Sequence, residues 1–258
     1  MNENENLLLN EFKKIARMKW VKGVNNNNNS IGLTFEQLIG KEVDHDFFPD
    51  YKGIEIKCRH WYSTNNIVLF AVGFDGPDFF EINHIIEKYG LPDFKYPNKK
   101  VIYTKLNNAT KTYFGGYEFS VEILDKENKL ILVVKDKENK IVERRSYIDL
   151  SKLRSRFYIK FSSLAIIYAY KKIIDGNKYF RYNEIDFYKI RNFEIFKQMI
   201  INKDINIRLI AKIAKKGYKE GKYCNQNLIF ELDPENLNKL FKPVYKLNYD
   251  DLERNKVR

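Results

Sequence analysis

The sequence has few of the residues that hold together disulfide-rich or zinc-bound folds. Its 258 residues include two cysteines, Cys58 and Cys224, and three histidines. Two cysteines cannot form a disulfide framework, and no C-x-x-C pair is present. No two of the histidines, His45, His60 and His84, are four residues apart, the spacing that places two ligands on one helix face. We therefore expect neither a disulfide scaffold nor a zinc site.

Long apolar runs are also absent. No window approaches the roughly 18 uninterrupted apolar residues of a transmembrane helix, and residues 1–9 lack the basic segment and long apolar stretch of a secretory signal. The phosphate-binding motif G-x-x-x-x-G-K-[ST] is missing too, which disfavours ATP-driven chemistry. These absences predict a soluble, cytoplasmic protein without a membrane partner.

Apolar and aromatic residues are plentiful, at 44% and 15% of the chain. That content excludes a disordered tail, and the length allows one large domain or two closely joined lobes. The helical spacing of Leu8, Phe12 and Ile15 predicts an amphipathic helix over residues 3–19, whereas several later segments alternate as strands do. The asparagine run at 25–29 is typical of a mobile loop. Together these patterns predict an α/β fold.

The net charge of +12 comes from 46 basic and 34 acidic residues, and it is unevenly distributed. Residues 151–223 contain 18 Lys and Arg against 6 Asp and Glu, while the rest of the chain has 28 of each. Because Lys and Arg supply most of the affinity for nucleic-acid phosphates, this segment predicts a surface that binds a polyanion. The alternative is a basic face that contacts only solvent.

The most informative short segment runs from Asp50 to Lys57. In a strand, Glu55 and Lys57 point to the same face, and Asp50 stands at the end of the preceding loop. The two carboxylates and the carbonyl of Ile56 could hold Mg²⁺, which prefers oxygen ligands. Lys57 could then steer a metal-bound water and stabilise the charge that develops on a phosphodiester. The segment therefore predicts metal-dependent phosphodiester hydrolysis.

The pattern E-x-K is common in this chain, so its context matters. It occurs five times, but only the copy at Glu55 has an Asp five residues earlier, on a loop that enters an alternating strand. The alternative interpretation of Glu55 and Lys57 is a solvated strand face with a surface ion pair. Asp44 and Asp46, on the same loop as Asp50, are the second-choice carboxylates.

Two blocks of sequence resemble a known enzyme family. The block SIGLTFEQLIG at residues 30–40, followed by Pro49-Asp50 and by GIEIK at residues 53–57, is similar to the MvaI/BcnI family of type II restriction endonucleases. That family is related to the mismatch-repair nicking enzyme MutH. Its members typically show a glycine-flanked T-[FL]-E-x-L-L helix, then P-D-F and G-I-E-[IL]-K.

The resemblance implies a PD-(D/E)xK nuclease-like mixed sheet flanked by helices. It implies that Asp50 and Glu55 ligate Mg²⁺, that Glu36 assists from its helix, and that Lys57 acts near the attacking water. It further implies hydrolysis that leaves a 5′-phosphate, and a monomer that cuts one strand of duplex DNA at a time. A cognate DNA methyltransferase is the expected partner in the same system.

Later segments resemble the family more loosely. Residues 87–93 look like its R-Y-G-x-x-D segment, and the strand at 206–208, the following lysine and glycine loop and Phe230 look like its DNA-recognition lobe. The asparagines at 25–29 replace a basic, glycine-containing segment of relatives. Residues 223–227 form the predicted loop where relatives often place histidines. The target sequence therefore cannot be transferred from the family.

We expect a two-lobed clamp with a catalytic lobe at residues 1–150 and a strand-rich, basic DNA-recognition lobe at 151–258. Pro234 is expected to start the last helix, before a loosely held tail. An arginine such as Arg208 can reach guanine and an asparagine such as Asn206 adenine, while lysines suit phosphates. The expected DNA contacts are Asn206, Arg208, Lys212, Lys215, Lys216, Lys219, Lys222, Tyr223, Asn225 and Gln226.

The sequence thus predicts a type II restriction endonuclease. Two alternatives stay open: a MutH-like repair nickase, and a DNA-binding protein whose acidic cluster has lost activity.

Overall fold

A computed structural model describes residues 1–41, 48–78, 80–107 and 112–254 of the chain. Asp44 and Asp46, the second-choice carboxylates, lie outside the described residues, as does the side chain of Asn225. In the described part of the chain, no helix is both long enough and apolar enough to cross a membrane.

Seven helices and fifteen strands form within these described residues. The helices are α1 (Glu3–Arg17), α2 (Ser30–Leu38), α3 (Glu81–Tyr89), α4 (Leu150–Phe161), α5 (Phe193–Ile201), α6 (Leu237–Leu240) and α7 (Tyr249–Arg254). The strands are β1 (Val21–Lys22), β2 (Ile54–His60), β3 (Ile67–Val72), β4 (Leu91–Pro92), β5 (Lys100–Lys105), β6 (Tyr113–Phe114), β7 (Tyr117–Leu124), β8 (Lys129–Lys135), β9 (Ile141–Glu143), β10 (Tyr147–Asp149), β11 (Ser163–Ile174), β12 (Asn177–Ile190), β13 (Ile205–Ile213), β14 (Tyr223–Leu232) and β15 (Phe241–Asn248). The predicted α/β class is confirmed.

The chain divides into two compact units, each built from separate segments. Unit 1 comprises Met1–Thr64, Arg156–Asn192 and Asn238–Arg258; unit 2 comprises Asn65–Ser155 and Phe193–Leu237. These units differ from the expected lobes, residues 1–150 and 151–258. The physical reason is strand pairing between distant segments, since β2 pairs with β11 and β15 pairs with β12.

The sheet of unit 1 has the strand order β1-β12-β11-β2, with β15 also paired to β12. The β2–β11 pair is parallel, and the other pairs are antiparallel. One face packs against α1 and α2 through side chains such as Phe12, Phe35 and Ile56. Burying such a face supplies the main driving force for this unit.

Helix α1 is fixed at its first turn by Glu5. The Asn2 side chain accepts a hydrogen bond from Glu5 N at 2.8 Å, and Asn2 N donates to Glu5 Oε2 at 2.8 Å, which completes a capping box. The second oxygen of Glu5 accepts from Ser163 Oγ at 2.7 Å and lies 2.5 Å from Lys189 Nζ. The helix start is therefore tied to both long strands, β11 and β12.

The expectation of a loosely held tail after residue 241 is wrong. Residues 241–248 form β15, with Phe241 and Leu247 buried against β12. The expected last helix from Pro234 is a 3₁₀ turn, Pro234–Asn236, followed by the four-residue α6. The strand β14 begins at Tyr223, so residues 223–227 belong to a strand and the predicted loop there is also wrong.

Unit 2 contains two sheets, with the strand orders β10-β8-β7-β6 and β3-β14-β13-β5-β4; β9 pairs with β8. In the second sheet, Leu209 and Phe230 are buried on one face, and α5 packs there through Phe196. Arg208 and Lys212 lie on the opposite face of β13, together with Tyr103 of β5. Unit 2 therefore has a sheet face that bears basic side chains.

The excess positive charge is shared between the units. Unit 1 contains 23 basic and 15 acidic residues, and unit 2 contains 23 and 19. The net charge is therefore +8 in unit 1 and +4 in unit 2. The excess is not confined to one unit, because the basic segment 151–223 supplies β11 and β12 to unit 1 and β13 to unit 2.

A buried carboxylate on β12 makes the stability of unit 1 sensitive to pH. The Asp186 side chain is 10% exposed, and its Oδ1 makes no hydrogen bond within the described chain. Its Oδ2 accepts a hydrogen bond from Tyr188 Oη at 3.2 Å and lies 3.9 Å from Lys246 Nζ. Burial raises the pKa of Asp186 to about 6, although the Lys246 charge opposes the shift. Compared with the unfolded chain, the folded chain therefore shifts the equilibrium of this carboxyl toward its protonated form.

We predict that Asp186→Asn stabilises the protein at neutral pH. In the unfolded chain the carboxyl ionises near its ordinary pKa of about 4, so above that pH folding is opposed by ionisation of a buried group. At pH 8 the free energy of unfolding of the variant should exceed that of the unchanged protein by about 1–3 kcal/mol. This difference should shrink as the pH falls toward 4. Urea unfolding across this range measures it. An advantage that does not change with pH would contradict the assignment.

Candidate active site

Helix α2, which positions Glu36, begins four residues before Thr34, the predicted start. Asn29 precedes it, and Ile31 and Phe35 bury one face of the helix. Thr34 lies inside the helix, where its Oγ1 donates to Ser30 O at 2.7 Å and accepts from Val24 N at 3.1 Å. Glu36 therefore stands on the half-exposed side of a helix that is anchored to the core.

The asparagine run at 25–29 forms a turn with specific contacts. Ser30 Oγ donates to Asn25 O at 2.5 Å. The Asn26 side chain accepts from Lys178 N at 3.2 Å, and Lys178 Nζ donates to Asn27 O at 2.9 Å. The run thus connects the start of α2 to β12.

Asp50 is fixed at the entrance to β2. Tyr51 and Ile54 exchange backbone hydrogen bonds of 2.9 and 2.8 Å around Lys52 and Gly53, which both have positive φ angles. Such a two-residue turn with positive φ at both central positions favours glycine and matches the twist of a strand pair. Asp50 Oδ2 accepts a hydrogen bond from Ile56 N at 2.9 Å. The carboxylate is therefore held beside the strand, as the sequence predicted.

Glu55 and Lys57 share one face of β2, also as predicted. Ile54 and Ile56 enter the core, while Lys57 Nζ lies 2.5 Å from Glu55 Oε1 on the other side. The Glu55 side chain is 1% exposed and that of Lys57 is 24% exposed. A carboxylate so completely buried does not fit the alternative of a solvated surface pair.

Two further lysines complete the site, and sequence reasoning missed both. Lys41 Nζ lies 2.6 Å from Asp50 Oδ1, and Lys160 Nζ lies 3.0 Å from Glu55 Oε2. Lys160 belongs to the last turn of α4 and is 15% exposed. The position of Lys160 depends on the parallel pairing of β2 with β11, which no local motif reveals. Lys41 had a local signal, since it immediately follows the block at 30–40.

The carboxylates of Glu36 and Asp50 have opposite pKa shifts. Burial raises the pKa of Glu36, and the charge of Asp50 adds to this effect; Lys41 and Lys57 oppose it. For Asp50 burial acts in the same direction, but hydrogen bonds from Lys41 Nζ and Ile56 N, with the charge of Lys57, lower its pKa overall. Two neighbouring carboxylates that differ in this way can take different parts in proton transfer.

The donor set at this site suits a hard divalent cation. Asp50 and Glu55 offer carboxylate oxygens, and the buried Oε2 of Glu55 lies 3.0 Å from Lys160 Nζ. No group of three His, Cys, Asp or Glu side chains in the described chain is already arranged as a metal site. Instead, Asp50 and Glu55 each face lysines. A cation bound here would displace the ammonium group of at least one of these lysines from its carboxylate.

The expected DNA contacts lie in unit 2, on β13, on the following loop and on β14. Arg208 contacts Glu231 and Tyr103, and Lys212 Nζ lies 4.5 Å from the centroid of the Tyr103 ring. Asn206 is half-buried on the same strand, directly opposite Glu231. The structure therefore brings Arg208 and Lys212 together around one tyrosine.

The lysine and glycine loop at 215–222 is anchored to residues 93–99. Lys215 pairs with Asp93, and Lys95 Nζ lies 2.5 Å from Glu220 Oε1. Lys99 Nζ donates to Gly221 O at 2.5 Å. Lys215 thus serves an intramolecular ion pair although it is exposed, and the three other lysines of the loop are exposed as well. These are Lys216, Lys219 and Lys222.

Two other expected contacts have structural partners. Tyr223 Oη donates to Lys100 O at 2.9 Å, and Gln226 Nε2 donates to Asn83 Oδ1 at 3.1 Å. Both residues belong to β14, where backbone pairing with β13 or β3 fixes the strand. Sequence reasoning missed Tyr103 and Glu231, whose signal is visible only in the cross-strand register.

Comparison with known proteins agrees with the motifs. The family model described as the MvaI/BcnI restriction endonuclease family matches residues 9–241. No curated protein sequence matches the chain significantly. A solved complex of restriction endonuclease MvaI with its cognate DNA substrate is 24% identical, covers 95% of this chain and 98% of its own, and has a TM-score of 0.87. MvaI in the absence of DNA, at 22% identity and the same coverage, has a TM-score of 0.59.

The structural likeness places the fold with that of MvaI, and the match of the family model extends over most of the chain. The motifs that carry the resemblance coincide with the site at Glu36, Asp50, Glu55 and Lys57. The chain belongs to the MvaI/BcnI restriction endonuclease family.

Proposed function

We propose that this family member is a type II restriction endonuclease that hydrolyses phosphodiester bonds of duplex DNA at a short specific site, using Mg²⁺ and leaving 5′-phosphates. The observation that carries the proposal is the pair formed by the buried Glu55 and the partly exposed Lys57, next to Asp50 fixed by Ile56 N. A charged pair of this kind, on one face of a sheet and beside a second carboxylate, is typical of an active site.

Asp50 and Glu55 would hold Mg²⁺, with Glu36 assisting. The ion would lower the pKa of a bound water and offset the charge of the phosphate. The ammonium group of Lys57 has three N–H donors, and the side chain is partly exposed to solvent. It can orient the attacking water and stabilise the negative charge that develops on the phosphate oxygens. Glu36, whose pKa is raised, is a better proton acceptor than an ordinary glutamate.

Lys41 and Lys160 would balance the site when no substrate is bound. Three carboxylates stand beside three lysines, Lys41, Lys57 and Lys160, so their charges offset one another. A divalent cation that binds to Asp50 would compete with Lys41 for the same oxygen. We infer that Lys41 lets the chain keep these carboxylates together without a metal, since unpaired buried carboxylates repel each other.

We further propose that unit 1 carries the catalytic site and that unit 2 recognises DNA. In support, the named structural neighbour is a complex of MvaI with cognate DNA, and the exposed lysines of unit 2 suit phosphates. The remaining parts of the proposal are a monomer that cuts one strand at a time, a cytoplasmic location and a partner DNA methyltransferase with the same site.

Incubation of the purified protein with Mg²⁺ and mixed plasmid DNA tests the proposal. Discrete fragments support a restriction enzyme, and sequencing their ends gives the recognition site and the cut position. Nicked circles as the final product would instead indicate a nickase. Intact DNA, together with salt-sensitive binding, would indicate a DNA-binding protein without activity.

We predict that Lys57→Ala lowers the cleavage rate by about a hundred-fold or more while DNA affinity stays within about threefold. The reason is that the lysine acts on charge that develops in the transition state, and such single donors are worth this much. Cleavage rates and filter binding without divalent cation measure the two quantities. Lys14→Ala, at an exposed position on α1, is the matched control. Full activity in Lys57→Ala would refute the catalytic assignment.

We predict that the combined change Lys216→Gln, Lys219→Gln and Lys222→Gln reduces the salt dependence of DNA binding. Each phosphate contact contributes about 0.9 to the slope of log K against log salt concentration, so the slope should fall by roughly 2 to 3. The control with the same charge change replaces Lys126, Lys137 and Lys140, which are exposed in hairpin turns of unit 2. Equal effects in both triple variants would show that the loop has no special role.

A further inference from the structure

The guanidinium of Arg208 is fixed by two neighbours on the basic sheet face of unit 2. Its Nη1 donates a hydrogen bond to Tyr103 Oη at 2.8 Å, and its Nη2 pairs with Glu231 Oε1. The guanidinium carbon lies 5.7 Å from the centroid of the Tyr103 ring. Because β13 lies between β5 and β14, the arginine is held from both adjacent strands.

Within the described residues, this arrangement leaves some N–H donors of Arg208 without a hydrogen-bond acceptor. An arginine has five N–H donors, and the contacts with Tyr103 and Glu231 use two of them. Its Nε is buried and makes no hydrogen bond within the described residues. The Arg208 side chain is 22% exposed and that of Glu231 is 9% exposed, so the carboxylate is the buried partner and the arginine reaches the surface. The remaining donors are therefore held in one fixed plane.

An ion pair that only stabilised the sheet would not explain the neighbouring charges. Lys105 stands directly opposite Arg208 on β5, and Lys212 lies over the same Tyr103 ring. Like charges on directly opposite strand positions destabilise a sheet, and Glu231 can balance only one of the three cations. The excess of positive charge on this face fits an anionic partner, and duplex DNA has the required charge density.

We propose that Glu231 and Tyr103 are positioning residues that hold Arg208 ready to read one guanine of the target site. Guanine presents two acceptors, O6 and N7, in the major groove, and arginine is the side chain that most often binds both. Fixing the guanidinium before binding reduces the conformational entropy lost on recognition. The inference rests on the proposed function, since it assigns part of its sequence specificity.

The test uses the full chain and the cleavage site mapped by the plasmid digest. Oligonucleotide duplexes carry 7-deazaguanine at one guanine of the site at a time, which removes the N7 acceptor and leaves base pairing intact. For the unchanged enzyme, one guanine should show a penalty of roughly five- to hundred-fold in cleavage rate when Arg208 reads it. In Glu231→Gln and in Tyr103→Phe, the penalty at that guanine should shrink to less than about threefold, while penalties at other guanines persist.

Glu122→Gln is the matched control, because it removes a carboxylate that pairs with an arginine, Arg144, and it lies on β7, in the other sheet of the same unit. It should keep the full pattern of penalties. Tyr103→Phe keeps the aromatic ring, so it tests the hydrogen bond even if Glu231→Gln unfolds. An equal loss of rate on every duplex, with the penalties unchanged, would overturn the positioning role and leave the proposed function standing. An unchanged protein that neither cuts nor selects any site would instead refute the proposed function.

Discussion

The parallel pairing of β2 with β11 is the interaction on which the candidate active site depends. It places Leu164 opposite Glu55 and Ile166 opposite Lys57, which removes the Glu55 carboxylate from water. Because α4 leads directly into β11, the same pairing delivers Lys160 to the buried carboxylate. Parallel strands require a long crossover connection, and here the connection between β2 and β11 contains most of unit 2. The burial of Glu55, the position of Lys160 and the long crossover connection are thus all consequences of one strand pair.

Electrostatic balance explains how three carboxylates can share this small region. Two of the carboxylates, Asp50 and Glu55, each have at least one lysine in contact. Glu36 forms no ion pair within the described residues, and burial raises its pKa. The site therefore places Asp50, whose pKa is lowered, beside Glu36, whose raised pKa makes it accept a proton more easily. Unit 2 uses the same principle on its sheet face, where a buried glutamate orients an arginine.

How much the sequence could predict depended on the sequence distance between partners. Asp50, Glu55 and Lys57 lie within eight residues of one another, and a turn followed by an alternating strand suffices to place them together. Lys160, Tyr103 and Glu231 could not be found in this way, because their roles arise from pairings between distant strands. The pairing of β15 was missed for the same reason, because its partner strand, β12, is remote in sequence. Charge counting along the chain failed because strands from a basic segment are shared by both units.

The discontinuity of the two units also governs when the enzyme can become complete. The chain passes between the units four times, so no single cut releases either of them as one continuous fragment. During synthesis from the N-terminus, Asp50 and Lys57 leave the ribosome more than a hundred residues before β11 does. The sheet of unit 1 acquires its last strand, β15, only at residues 241–248. A truncated or stalled chain would therefore carry Asp50, Glu55 and Lys57 without the sheet that buries Glu55. Exchange of unit 2 between relatives would need four splice points.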